Sequence, residues 1–165
     1  MSAPPGAEAL PEAVEATPEP SHPVLLDTNV LVYATNEDSP FHPQARQILD
    51  RALSGELEAA ITLQILAEYY AVITDPRRVD HPLTPEEARE QIEALLAGEI
   101  QLLPLQEGTS HRLVELGERY EIRAQEIYDA QVVATLLEGG IPLLWTANEQ
   151  DFRRYQEIEV HNPFR

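Results

Sequence analysis

Asp27, Glu68 and Asp129 are carboxylates in apolar settings, and each must be kept neutral, paired or hydrogen-bonded there. Asp27 directly follows the aliphatic run Val24, Leu25 and Leu26, at the carboxyl end of a short buried strand. In open α/β sheets that end is where ligands bind. The ordinary alternative is a helix cap, since aspartate at a strand–helix junction accepts backbone N–H groups. Glu68 lies in the stretch 61–73, where only Thr62, Gln64 and Glu68 itself are polar. Steps of three, four and seven from it reach Ile61, Ile65, Ala71 and Val72, so the carboxylate is expected on a core-facing stripe. A snorkelling side chain or a buried ion pair with an arginine is the competing explanation, because an unpaired charge there is costly. Asp129 repeats the pattern, with Val132, Val133 and Leu136 at +3, +4 and +7 in the first turns of a helix. Each acid has a bland explanation alone, but together they favour a shared site.

A fourth element, the segment TANEQDF at 146–152, again turns from a strand end into a helix. Asn148 and Asp151 offer oxygen ligands there and Thr146 donates or accepts, although a plain helix cap also fits. Converging carboxylates repel unless a cation or a proton neutralises them. Hard oxygen donors without imidazole or thiolate select Mg²⁺ or Mn²⁺ over zinc. The five histidines show no HxH or HxxxH spacing, and there is no cysteine. A divalent cation held beside a parallel sheet suits phosphodiester hydrolysis, because it polarises the phosphoryl oxygen and activates water. It also adds positive charge to a chain of net charge −18 whose 11 cations are all arginine.

The elements that must position these groups alternate along the chain. Strands are predicted at 24–26, 59–61, 99–105, 141–145 and 158–160. Helices are predicted after Asp27 and over 43–53, 62–74, 84–98, 109–120 and 124–138. Thr84, Pro85, Glu86 and Glu87 make a strong helix start: a threonine cap, proline in the first turn, then acids facing the dipole. Such alternation means an α/β domain with a mainly parallel central sheet flanked by helices.

Four segments in order resemble the acidic motifs of PIN-domain nucleases: VLLDTNVLVYA at 24–34, LAEYY at 66–70, IYDAQVVA at 127–134 and TANEQDF at 146–152. The resemblance spans about residues 23–163 and is nearest to VapC-type ribonuclease toxins of type II toxin–antitoxin pairs. It implies a PIN-like three-layer fold and Mg²⁺- or Mn²⁺-dependent endoribonuclease action on RNA. A homodimer and a neutralising antitoxin are the implied partners. Carried over by residue, it assigns Asp27, Glu68, Asp129 and Asp151 to catalysis and metal binding. Asn29, Thr146 and Asn148 would orient water or phosphate from behind them. Asn148 stands where the family often has an acid, so either Asp151 is the fourth carboxylate or the fourth acid is weakened. Arg153 and Arg154 are candidate phosphate contacts, or else solvated helix residues. Two other classes compete. One is a catalytically silent PIN-fold module that binds RNA or protein. The other is a phosphatase with Asp27 as nucleophile, against which Asn29 stands where a second aspartate is usual.

Composition bounds the rest. Residues 1–22 hold five prolines, four glutamates and no cation, and are expected to be a disordered leader ahead of a nuclease domain at 23–165. That domain keeps 25 acids against 11 arginines, so the acidity is its own and argues against a polyanion-coating protein. No apolar run reaches membrane-spanning length, no secretory signal is visible, and the absence of cysteine makes the cytoplasm the default location.

Overall fold

A computed structural model describes residues 20–165, so residues 1–19 of the expected leader lie outside the described residues. The chain forms β1 (Val24–Leu26), α1 (Thr28–Thr35), α2 (His42–Ser54), β2 (Ala59–Thr62), α3 (Leu63–Ile73), α4 (Pro85–Ala97), β3 (Gln101–Leu103), α5 (Thr109–Arg119), α6 (Ile127–Glu138), β4 (Leu143–Trp145), α7 (Glu149–Phe152) and β5 (Glu159–His161). The five strands make one sheet in the order β3-β2-β1-β4-β5, and every neighbouring pair is parallel. Val24, Leu25 and Leu26 are wholly buried, as a central strand covered on both faces requires.

Strand order fixes the layers. The crossovers β1→β2 and β2→β3 run one way across the sheet, whereas β3→β4 and β4→β5 run the other. Right-handed connections therefore place α1–α4 on one face and α5–α7 on the opposite one. The packing agrees: α1 meets α2 and α3, α3 meets α4, and α5 meets α6. The chain reverses direction at β1, so the crevice between the carboxyl ends of β1 and β4 is the topological switch point.

Local chemistry sets most boundaries. Thr84 caps α4 in a capping box: its hydroxyl accepts from Glu87 N at 3.3 Å while a Glu87 oxygen accepts from Thr84 N at 2.7 Å. Gly55 ends α2 with φ of 80°, a left-handed turn suited to glycine. Three expectations are corrected. β3 is shorter than 99–105, because Pro104 has no N–H to extend the ladder. β4 starts at Leu143, not Ile141, since Pro142 donates nothing and only its carbonyl accepts, from Glu159 N at 2.8 Å. The helix expected from residue 124 begins at Ile127, preceded by a 3₁₀ turn at Ala124–Glu126.

Ala124 causes that break. Its φ of 51° lies in the left-handed region, which costs a residue with a Cβ about 1 kcal/mol or more. Ala124→Gly is therefore expected to stabilise the protein by roughly 0.5–1 kcal/mol, read as a later urea midpoint at unchanged slope. A lower midpoint would show that the turn is not strained.

Candidate active site

Asp27 leaves β1 and starts α1, so it is both a cap and a cleft residue. Its extended backbone (φ −74°, ψ 161°) lets Oδ1 accept from Thr28 N at 2.7 Å. The register Leu26↔Trp145 sets Asp27 beside Thr146 at the carboxyl ends of β1 and β4. There Asp27 Oδ2 accepts from the Thr146 hydroxyl at 2.6 Å and from the Asn29 amide at 2.9 Å. The Asn29 amide also donates to Thr146 Oγ1 at 2.9 Å, while its oxygen accepts from Ala147 N at 3.0 Å. Thr146 is fully buried, and its Oγ1 accepts from Asn148 N at 3.0 Å. Asn29 and Thr146 thus grip the carboxylate itself and tie the first motif to the fourth.

Glu68 approaches from α3. One oxygen accepts from the Thr28 hydroxyl at 3.0 Å and the other from the Gln64 amide at 2.9 Å. The same amide donates to the Tyr128 carbonyl at 3.0 Å, just before Asp129 on α6. Gln64 therefore braces the two helices that carry Glu68 and Asp129, and its own side-chain oxygen is buried without a partner. Sequence reading passed over Gln64; its signal was its place four residues before Glu68, on the same helical face.

The expected burial of Glu68 is corrected: its side chain is exposed. Ile65 faces the core, but Ala71 and Val72 of the supposed core stripe line an open cleft together with Glu68. Asp27, Asp129, Asn29 and Asn148 line the same cleft, whose volume is about 520 Å³. Three carboxylates from three separate elements thus face one concavity at the switch point of the sheet.

Their electrostatics match that grouping. Burial, partly offset by hydrogen bonds from Thr146 and Thr28, pushes the Asp27 carboxyl above its ordinary range, and Glu68 pushes in the same direction. Asp129 is raised to about 6, first by burial and then by the charges of Asp151, Asp27 and Glu68. Asp151 is exposed beside the cleft, where its carboxylate accepts from the Asn148 side-chain amide. Arg154 pairs with Glu126 at 2.8 Å and Arg153 with Glu149 at 3.4 Å, and neither is among the cleft-lining residues. Sequence reading missed Arg78, which does line the cleft.

The donor chemistry fits a hard divalent cation: all oxygen, mutually repelling, and free of histidine and thiolate. Among the described residues, however, no three acidic or histidine side chains form a ready-made cation-holding group. Asp27 is instead held by Asn29 and Thr146, and Glu68 by Thr28 and Gln64. Asp27 Oδ2 already accepts two bonds, but Asp27 Oδ1 and both Glu68 oxygens accept one each and keep a lone pair for a ligand.

The sequence has relatives. Ribonuclease VapC48 of Mycobacterium tuberculosis is 30% identical over 140 residues, 84% of this chain and 96% of the relative. VapC ribonuclease Mb2897 of Mycobacterium bovis is 27% identical over 142 residues, 85% and 95% of the two chains. Among solved structures, VapBC-1 from nontypeable Haemophilus influenzae superposes with a TM-score of 0.60 at 16% identity, covering 87% of this chain and 99% of that one. Mycobacterium tuberculosis VapC20, described as a sarcin–ricin loop cleaving toxin, gives 0.59 at 15% identity, covering 82% and 98%. Residues 24–158 match the PIN domain family model, a span that contains all four acidic motifs and the whole switch-point cleft, and the chain belongs to that family.

Proposed function

We propose that this PIN-domain protein is a divalent-metal-dependent endoribonuclease that hydrolyses RNA phosphodiester bonds, and that it is the toxin of a toxin–antitoxin pair. The observation that carries the chemistry is the convergence of Asp27, Glu68 and Asp129 on one cleft. Relatives named VapC ribonucleases support RNA as the substrate. Neighbours solved as toxin–antitoxin complexes support an antitoxin as partner.

In this reading Asp27, Glu68 and Asp129 hold Mg²⁺ or Mn²⁺, with Asp151 contributing directly or through water. A cation held there would supply the charge that polarises the phosphoryl group and makes water nucleophilic at neutral pH. Asn29 and Thr146 keep the Asp27 carboxylate oriented, since each donates to the same oxygen. Gln64 and Thr28 do the same for Glu68. Asn148 lines the cleft and orients Asp151 through its amide.

We also propose a homodimer working in the cytoplasm. Leu63, Leu102, Leu105 and Tyr128 are exposed and line an apolar groove beside Gln64, a surface of the kind protein contacts cover. Among the described residues no helix is long and apolar enough to cross a membrane.

The test is cleavage of total bacterial RNA and of mixed-sequence RNA oligonucleotides in Mn²⁺, Mg²⁺ or EDTA, with DNA alongside. Internal cuts in RNA that stop in EDTA are the expected result. Intact RNA in every metal, with the protein still binding RNA or protein, would establish a silent module instead.

A further inference from the structure

Most of the arginines are already paired. Arg46, Arg77, Arg89, Arg112, Arg119, Arg153, Arg154 and Arg165 each form an ion pair with a carboxylate. Arg78 makes no side-chain hydrogen bond or ion pair among the described residues, and it lines the cleft that holds Asp27, Glu68 and Asp129. Its surroundings explain why it stays free. Asp75, three residues before it in the same loop, is taken by Arg77, which donates to it through N at 2.9 Å, Nε at 3.0 Å and Nη2 at 2.8 Å. That clamp, with a smaller contribution from the charge of Arg78, holds the Asp75 carboxyl down at about 2.

The loop is also pinned. Arg78 N and Val79 N donate to the Asp75 carbonyl at 2.9 and 3.2 Å, and Leu83 N donates to the Ile73 carbonyl at 2.8 Å. The Val79 side chain is buried, so the residues on either side of Arg78 are both committed. A free guanidinium is thereby held at the wall of an acidic cleft, on a backbone that does not need to be ordered when a ligand arrives.

We propose that Arg78 is the substrate-anchoring residue of this site, taking a phosphate of the RNA strand next to the one being cut. The inference rests on the ribonuclease reading above. Guanidinium presents a planar fork of donors that matches phosphate oxygens, and its charge does not titrate away. The domain's own balance is −14, so an approaching strand meets repulsion almost everywhere. At the cleft wall Arg78 sets one positive contact beside the three acids. Arg153 and Arg154, beside the fourth motif, are occupied by Glu149 and Glu126, which leaves the anchoring role to Arg78.

The experiment uses the full chain and a fluorescent mixed-sequence 20-nucleotide single-stranded RNA. Affinity is measured in Ca²⁺ across a salt series, turnover in Mn²⁺, and Mn²⁺ affinity by calorimetry. Arg78→Ala is expected to raise Kd and KM about tenfold, with kcat within about threefold of wild type. It should also flatten the salt dependence by about 0.7 log units per log unit of salt, the loss of one phosphate contact to a single strand. Arg78→Lys should recover part of the affinity, and Arg89→Ala, on the exposed face of α4, should behave as wild type. Mn²⁺ affinity and melting temperature should not fall in Arg78→Ala, which separates anchoring from a structural role. Unchanged Kd and salt slope in Arg78→Ala would overturn the anchor and leave the nuclease reading standing. A wild-type protein that neither binds nor cuts RNA would overturn that reading, and the anchor with it.

Discussion

Asp129→Asn is expected to lower RNA cleavage roughly a thousandfold in Mn²⁺ while the protein stays folded. The substitution removes a charge from the cleft and keeps the size and shape of the side chain. Glu68→Gln should behave alike. Asp27→Asn should also abolish cleavage, yet it is the less clean variant. Asparagine caps a helix as well as aspartate, so α1 survives. Its amide nitrogen, however, would face the Asn29 amide if it took the place of Oδ2, where two donors meet. Cleavage near the wild-type rate in Asp129→Asn would remove Asp129 from the site. Measuring initial rates in single turnover keeps binding defects separate from chemistry.

The same variant should be more stable than wild type when no divalent cation is present. Asp129 has its carboxyl raised from the usual 3.8 to about 6, so the native state holds that proton more tightly than the unfolded chain. A group raised in this way favours the folded state at low pH, and the advantage is lost as pH climbs from about 4 to about 6. Above 6 the loss is complete, and a shift of about two units corresponds to an upper bound on the order of 3 kcal/mol. Asp129→Asn does not titrate, so its stability relative to wild type should grow across that window and then level off. Asp75, Glu87, Glu126 and Glu157 are lowered and act in the opposite sense, but they are common to both proteins and cancel in the difference. Urea unfolding from pH 4 to 8 in EDTA reads this directly. A difference that is flat with pH would mean that neither burial nor its acidic neighbours raise the Asp129 carboxyl. Adding Mn²⁺ should reverse the order at pH 7.5, because only the wild type has the full charge set to bind it.

How far the sequence revealed the site depended on whether a signal was local. Strand ends followed by capping residues are local, so the placements of Asp27, Thr146 and Thr84 were legible from their immediate neighbours. The parallel sheet followed from the alternation of elements, whereas the strand order, and with it the switch point at β1, rests on long-range pairing that the sequence does not display. Glu68 was different. Helix α3 is apolar nearly all round, and such a helix reads as buried, but Leu63 and Tyr70 face outward and Ala71 and Val72 line the cleft. Periodicity reports which residues share a face and not what that face meets. Gln64 and Arg78 escaped for the same reason. Gln64 matters through a bond to the backbone of α6, 64 residues away, and Arg78 through the absence of a partner that only the folded loop reveals. The break at Ala124 was hidden too, since alanine is the best helix former and carries no sign of a left-handed backbone.

Whether Asp27, Glu68 and Asp129 act as one divalent-cation site is read by calorimetric titration of Mn²⁺, without reference to any RNA. The wild-type protein should bind Mn²⁺ with a heat that EDTA abolishes. Asp27→Asn, Glu68→Gln and Asp129→Asn should each weaken binding by roughly tenfold or more. Undiminished Mn²⁺ affinity in Glu68→Gln and Asp129→Asn, both folded, would contradict a shared site and leave the cleft a cluster of acids with no common ligand.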